Sequence, residues 1–306
     1  MNMNRRNFVT TIAITGTALM AQSALAQSGA TPEPADQGTV GSAVQSGYSP
    51  VNGLEMYYEI HGEGGTPLVL LHGAYMNIDA NWAELLPTLA QSRQVIAVET
   101  QGHGRTADID RPITYEAMAD DIAALLDYLH IEVADLYGYS MCGGTAFQVA
   151  IRHPHRVRKL VAGSVPISTG GMHPGMTEML QSITPASFAG TPIETEYQRL
   201  APNPGDFPAL VEKLKTLDLT PYDWPAATIE GIPSPTLLIF GDSDVVTLEH
   251  AVEIFQLRGG GVNGDLAGLP VSQLAVLPGS SHIGVMYQSA LLLAIVPSFL
   301  DTPLDH

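Results

Sequence analysis

The sequence predicts an α/β fold: a mostly parallel sheet, helices on both of its faces, and a short inserted cap. Three observations carry that expectation. From about Gly47 onward, short apolar strand patterns alternate with amphipathic helical ones, the pattern of strand–helix–strand crossovers. Leu68 to Leu71 is an apolar run without a polar face, as a parallel strand buried on both sides requires. Several strand patterns stop at turns rich in glycine and polar residues, and the carboxyl edge of such a sheet is where ligands bind.

Residues 1–26 begin with Arg5-Arg6, continue through an apolar run from Ile12 to Met20, and end at Ala24-Leu25-Ala26. They resemble a twin-arginine export signal cleaved after Ala26. A membrane anchor would need ~20 largely apolar residues, and this run is broken by Thr15, Gly16, Thr17 and Gln22. The mature chain is therefore expected to be periplasmic or secreted, with no membrane partner. Residues 27–46 are small, polar and aperiodic, a flexible leader before a domain spanning 47–306.

Asn52-Gly53 marks a hairpin, with Met56 to Ile60 as its second strand. After the strand Leu68–Leu71, residues 82–90 read as a helix carrying Pro87, and Val95 to Val98 as the next strand. Thr114 is placed to cap a helix whose Met118, Ile122, Leu126 and Leu129 share one face, with Asp120, Asp121 and Asp127 on others. A strand ending at Tyr139 leads through Ser140 into a helix, followed by a strand from Leu160 to Val165. Alternation breaks down from 166 to 235, where methionines, aromatic residues and prolines mix and one helix starts at Asp206. This is the cap, and most of its apolar residues should pack it onto the body. Thr236–Phe240, a helix from Glu249 to Leu257, a glycine-rich insertion at 259–264, a strand over Gln273–Leu277 and a helix over Ser289–Leu300 complete the chain.

With 306 residues, 45% of them apolar, the chain can bury a large core. Its 31 acids against 13 bases give a formal charge of −18, and loss of the signal's two arginines would leave 11 − 31 = −20. Nucleic acid is an unsuitable partner for such a field. The single cysteine excludes an intrachain disulfide. No H-E-x-x-H occurs and no G-x-G-x-x-G opens a helix, so neither metal nor dinucleotide cofactor is expected. The sequence is silent on oligomeric state.

Four turns at the carboxyl edge carry chemistry: His72-Gly73-Ala74, Ser140, Asp242-Ser243-Asp244 and Pro278-Gly279-Ser280-Ser281-His282. Gly138 and Ser140 fit a G-x-S-x-G elbow, while Cys142 stands at its second glycine and Gly143 follows one place late. The chain order is serine, aspartate, histidine, that of one class of serine hydrolases.

On these motifs, together with Gly102-His103-Gly104, the region from about Gly47 to Leu300 resembles the α/β-hydrolase fold family, in its serine hydrolase and esterase branch. The resemblance implies an eight-stranded-type sheet. It makes Ser140 the nucleophile and His282 its base and later its acid. Asp244, with Asp242 as the rival two residues away, would hold the imidazole. The N–H groups of Met141 and Ala74 would form an oxyanion hole, each donor contributing about 3 to 4 kcal/mol, with the Tyr75 N–H as the alternative second donor. Glu99 stands where many relatives carry aspartate; it, His103 and Cys142 are expected to be structural. His153 and His155 flank Pro154 in what reads as a surface loop.

The expected activity is hydrolysis of a small carboxylic ester or lactone through an acyl-enzyme, without cofactor. Carbon–carbon bond hydrolysis and cofactor-free perhydrolysis use the same three groups and stay open. A non-catalytic ligand-binding protein on this fold is the rival from another class, and retention of all three side chains weighs against it.

Overall fold

The computed structural model describes residues 45–304. The export-type signal and residues 27–44 lie outside the described residues. Strand β1 (Gln45–Val51) starts within the expected leader, pairing Gln45 with Ile60 of β2 (Leu54–His61). Between them Asn52 and Gly53 both take positive φ, 48° and 86°, the type I′ geometry that matches the twist of a hairpin.

The remaining strands are β3 (Leu68–Leu71), β4 (Val95–Val98), β5 (Ala134–Tyr139), β6 (Val157–Gly163), β7 (Thr236–Ser243) and β8 (Gln273–Ser281). They form one eight-stranded sheet in the order β1-β2-β4-β3-β5-β6-β7-β8. Pairing is antiparallel from β1 to β4 and parallel from there to β8. Alternate residues of a strand serve opposite faces, and the core divides accordingly. Val69, Leu71, Ile96 and Val98 pack with helices α3 (Tyr115–Tyr128) and α4 (Met141–Arg152). Leu68, Leu70, Val95 and Ala97 pack on the other face with Trp82 and Leu86. A late helix there supplies Leu292, Val296 and Phe299.

Several boundaries depart from the sequence expectation. Residues 82–90 are not one helix but the end of α1 (Ile78–Trp82) and then α2 (Leu86–Leu89). Pro87 lacks an N–H and collides with a preceding turn, so the chain restarts with proline in the first turn. Strand β6 lies earlier than Leu160–Val165, because Ser164 turns into positive φ, 51°, and leaves the sheet. At its start Lys159 is buried, its Nζ donating to the carbonyls of Phe299 and Leu300. Asp121, off the apolar face of α3, is fully buried, accepting from Arg111 at 3.0 and 2.5 Å and from Asn52 at 2.9 Å.

Between β6 and β7 the cap supplies α5 (Met176–Ser182), α6 (Pro192–Leu200), α7 (Phe207–Leu219) and α8 (Ala226–Glu230). Its Phe188, Phe207, Leu210, Val211, Leu214 and Trp224 join the α3–α4 side of the core. The body continues with α9 (Leu248–Leu257), α10 (Gly264–Ala267) and α11 (Ser289–Asp301). No helix among the described residues is long and apolar enough to cross a membrane.

Candidate functional site

Strand β5 ends beneath a tightly packed turn. Ser140 takes φ 53° and ψ −121°, a strained conformation costing ~1–3 kcal/mol that the surroundings must enforce. Its N–H donates to Gly163 O at 2.8 Å, and its carbonyl accepts from Gly143 N–H at 2.8 Å. A Cβ on Gly138 would stand 2.1 Å from Cys142 O, one on Gly143 2.9 Å from Val165, and one on Gly144 2.6 Å from the Tyr115 ring. The glycines are thus demanded by contact, and Cys142 fills a fully enclosed space between them. Burial pushes its thiol up to about 12, which leaves it without thiolate at neutral pH.

The turns after β5, β7 and β8 converge. Ser140 Oγ lies 2.8 Å from His282 Nε2, and His282 Nδ1 lies 2.8 Å from Asp244 Oδ1. Burial alone would raise the Asp244 carboxyl. Hydrogen bonds from His282, from Ser164 Oγ at 2.6 Å and from Gly241 N–H at 3.1 Å outweigh it and hold the group below the ordinary range. An ionised Asp244 only accepts, so Nδ1 carries the imidazole proton and Nε2 is free to accept from Ser140 Oγ. Tyr139 Oη donates to His282 O at 2.6 Å, fixing the backbone that carries the ring. Asp242 is elsewhere: exposed, it accepts from Gly279 and Ser280 N–H at 2.8 and 3.2 Å and so organises the end of β8.

The turn after β3 closes directly on the serine, since a Cβ on Gly73 would lie 3.5 Å from Ser140 Cβ. Asn81 Oδ1 accepts the Gly73 N–H at 3.0 Å, and Met76 N–H bonds Gly73 O at 3.2 Å, with Tyr75 at φ 62°. The N–H groups of Met141, Ala74 and Tyr75 find no acceptor among the described residues outside the helices and strands. Two imidazoles support this turn without being bases. His72 donates from Nδ1 to Gly73 O at 2.8 Å and accepts Thr100 N–H at Nε2. Burial takes it down to about 3, and His103 to about 4. Glu99 is fully buried and pushed by burial up to about 7, with Arg105 Nη1 2.7 Å from it. His153 lies 2.8 Å from Asp120, at a partly buried position.

Three contributors escaped the sequence reading. Ser164 occupies the β6 terminus, and its hydroxyl bonds the acid Asp244. Asn81 shows itself in sequence only as a polar residue beside Trp82 in an apolar helix. Asp218 on α7 interacts electrostatically with His282. Among the described residues there is no group of three His, Cys, Asp or Glu side chains placed to hold a metal ion.

A model of the alpha/beta hydrolase fold matches residues 66–221. The chain is 34% identical over 208 residues to a 2-hydroxymuconate semialdehyde hydrolase of a Pseudomonas species, covering 61% of this chain and 74% of that one. It is 30% identical over 223 residues to a 2-hydroxy-6-oxo-2,4-heptadienoate hydrolase of Pseudomonas putida, covering 65% and 80%. Among solved structures, a meta-cleavage product hydrolase from Pseudomonas fluorescens superposes with a TM-score of 0.64 at 20% identity, over 85% of this chain and 98% of that one.

Proposed function

This chain belongs to the alpha/beta hydrolase fold family and is a hydrolase of small organic molecules, and we propose that it works through an acyl-enzyme on Ser140. The observation that carries this is the continuous chain from Ser140 Oγ through His282 to Asp244 with both links at 2.8 Å. As Oγ adds to the substrate carbonyl, its proton passes to His282 Nε2 and Asp244 stabilises the imidazolium. The developing oxyanion takes the N–H of Met141 and of Ala74, with Tyr75 as the alternative second donor. Collapse breaks the scissile bond, the leaving group receives the proton from His282, and water then repeats the sequence on the acyl-enzyme.

For the bond itself, we favour a carbon–carbon bond next to a ketone over the ester or lactone bond expected from sequence. Support comes from the two relatives, matched over 74% and 80% of their length, whose names make them hydrolases of a muconate semialdehyde and of an oxo-dienoate. A carbon leaving group must depart as an enolate, so the carbon beside the ketone must be able to pass its electron pair to a second carbonyl, as a 2-hydroxy-6-oxo-dienoate allows once its enol has ketonised. An ester is the second reading, because the same proton transfer serves an alkoxide without further groups.

Incubating the protein with a 2-hydroxy-6-oxo-2,4-dienoate chromophore beside a panel of p-nitrophenyl esters tests the choice. Bleaching of the dienoate with release of one carboxylic acid, lost in Ser140→Ala, is expected. Ester turnover with the dienoate untouched would return the assignment to esters. The twin-arginine pattern at Arg5-Arg6 supports export, and cell fractionation should find the activity outside the cytoplasm.

A further inference from the structure

The two edges of the sheet are finished differently. An edge strand presents unpaired N–H and C=O groups, and folded proteins protect it with charge, proline or a covering element. At the β1 edge, Pro50 stands within the strand. At the other edge β8 pairs with β7 alone among the described residues, and from Gln273 to Leu277 it carries neither charge nor proline.

Apolar surface gathers along that second edge. Of the twelve large apolar side chains left exposed among the described residues, nine fall between Leu248 and Leu291. Val271 precedes β8 and Val276 lies within it, 66% and 41% exposed. Leu266 in α10 and Leu269 just after it are 86% and 89% exposed. Leu269 folds back so closely that a Cβ on Gly264 would meet its Cδ2 at 2.8 Å. Ser272 Oγ accepts Thr236 N–H at 3.1 Å, which pins the end of this projection beside the start of β7. Exposed apolar patches beyond a few hundred Å² mark interaction surfaces.

Charge selects the occupant. From Gly259 to Leu300, 42 residues, Asp265 is the only acid and there is no lysine or arginine, although charged residues make up 14% of the chain. The whole chain carries −18, so a contact between two copies is least opposed across such a neutral surface. A basic partner would dock on the acidic remainder, and anionic lipid is repelled by the same field. Residues 27–44 are ill suited to cover it: they contain no Leu, Ile, Met or aromatic side chain and lead to β1, at the opposite edge. A strand edge is also its own complement, because a twofold axis lays a strand antiparallel to its copy.

We propose that the β8 edge, with Leu266, Leu269 and Val271 beside it, is the isologous interface of a homodimer. Pairing β8 with β8 satisfies both open edges and closes the assembly at two copies. A standard interface takes about 800 Å² from each partner, and nine large side chains exposed by 38% to 89% supply area of that order.

The test is the mass of the full chain in solution, by gel filtration with light scattering across micromolar concentrations. Wild type should run at twice the mass of one chain. Val276→Lys puts a lysine of each copy into the paired edge, and Leu269→Asp places a carboxylate on the projection. Each should raise the dissociation constant by about 10-fold or more. Tyr48→Lys, in β1 at the opposite edge, should leave the dimer intact. Leu269 is 89% exposed, so its variant removes no core, and unchanged circular dichroism separates lost association from lost folding. A wild type monomeric throughout, a dimer that survives both variants, or growth past two copies into an open series would each overturn the proposal. Val276-dependent binding of a monomer to phosphatidylcholine vesicles would overturn it too, and give the surface to lipid.

Discussion

Replacing Asp218 by asparagine should stabilise the protein, and by more as the pH rises. The carboxyl moves from 3.8 when free to about 7 in the fold, because burial penalises its charge. The folded state therefore binds a proton that the unfolded chain has already lost, and stability falls as pH rises from about 4 through about 7. At 1.36 kcal/mol per unit, ionising this group costs about 1.5 kcal/mol of stability at pH 5 and about 4 kcal/mol at pH 8. Partial solvent access lowers both figures, so the gain from asparagine should grow by about 1 to 3 kcal/mol between the two pH values. Paired urea denaturations of wild type and variant at pH 5 and pH 8 measure this directly, since every other titrating group cancels in the difference. A difference that stays level, or shrinks with pH, would mean that the fold supplies Asp218 with a cationic partner and would refute the raised carboxyl.

The two aspartates after β7 should separate cleanly. Asp244→Asn should lower kcat by about 10⁴ by offering His282 the wrong tautomer partner, whereas Asp242→Asn, which touches only the N–H groups of Gly279 and Ser280, should lose far less in the same assay. Asp121→Ala should cost about 3 kcal/mol in urea unfolding because it strands the Arg111 guanidinium, against under ~0.5 kcal/mol for Glu116→Ala on the exposed side of the same helix. Gly138→Ala drives a methyl to 2.1 Å from Cys142 O and should destabilise by about 3 kcal/mol or more, visible as a lowered Tm.

What the sequence made legible was local. Leu68–Leu71 declares itself because both faces of a parallel strand are apolar, Asn52-Gly53 because few dipeptides accept two positive φ values, and the Ser140 turn because glycines cluster around it. Asp121 reads in sequence only as an acid off the apolar face of an amphipathic helix. Its burial depends on Asn52 and Arg111, which arrive from the hairpin turn and from the segment ahead of the helix. Ser164 carries no pattern of its own; its positive φ fixes the end of β6 and brings its hydroxyl to Asp244 across 80 residues of chain. Asp218 is further still from legibility. One acid in a mixed stretch of cap carries no pattern, and only the folded chain shows that burial pushes its carboxyl up to about 7.

The central claim is that Ser140 is the group acylated during turnover. Treating the full-length protein with an aryl phosphonate and weighing it intact tests this most directly. A single covalent increment is expected on wild type, absent from Ser140→Ala and slowed in Asp244→Asn. No increment on wild type, or an equal one on Ser140→Ala, would contradict it.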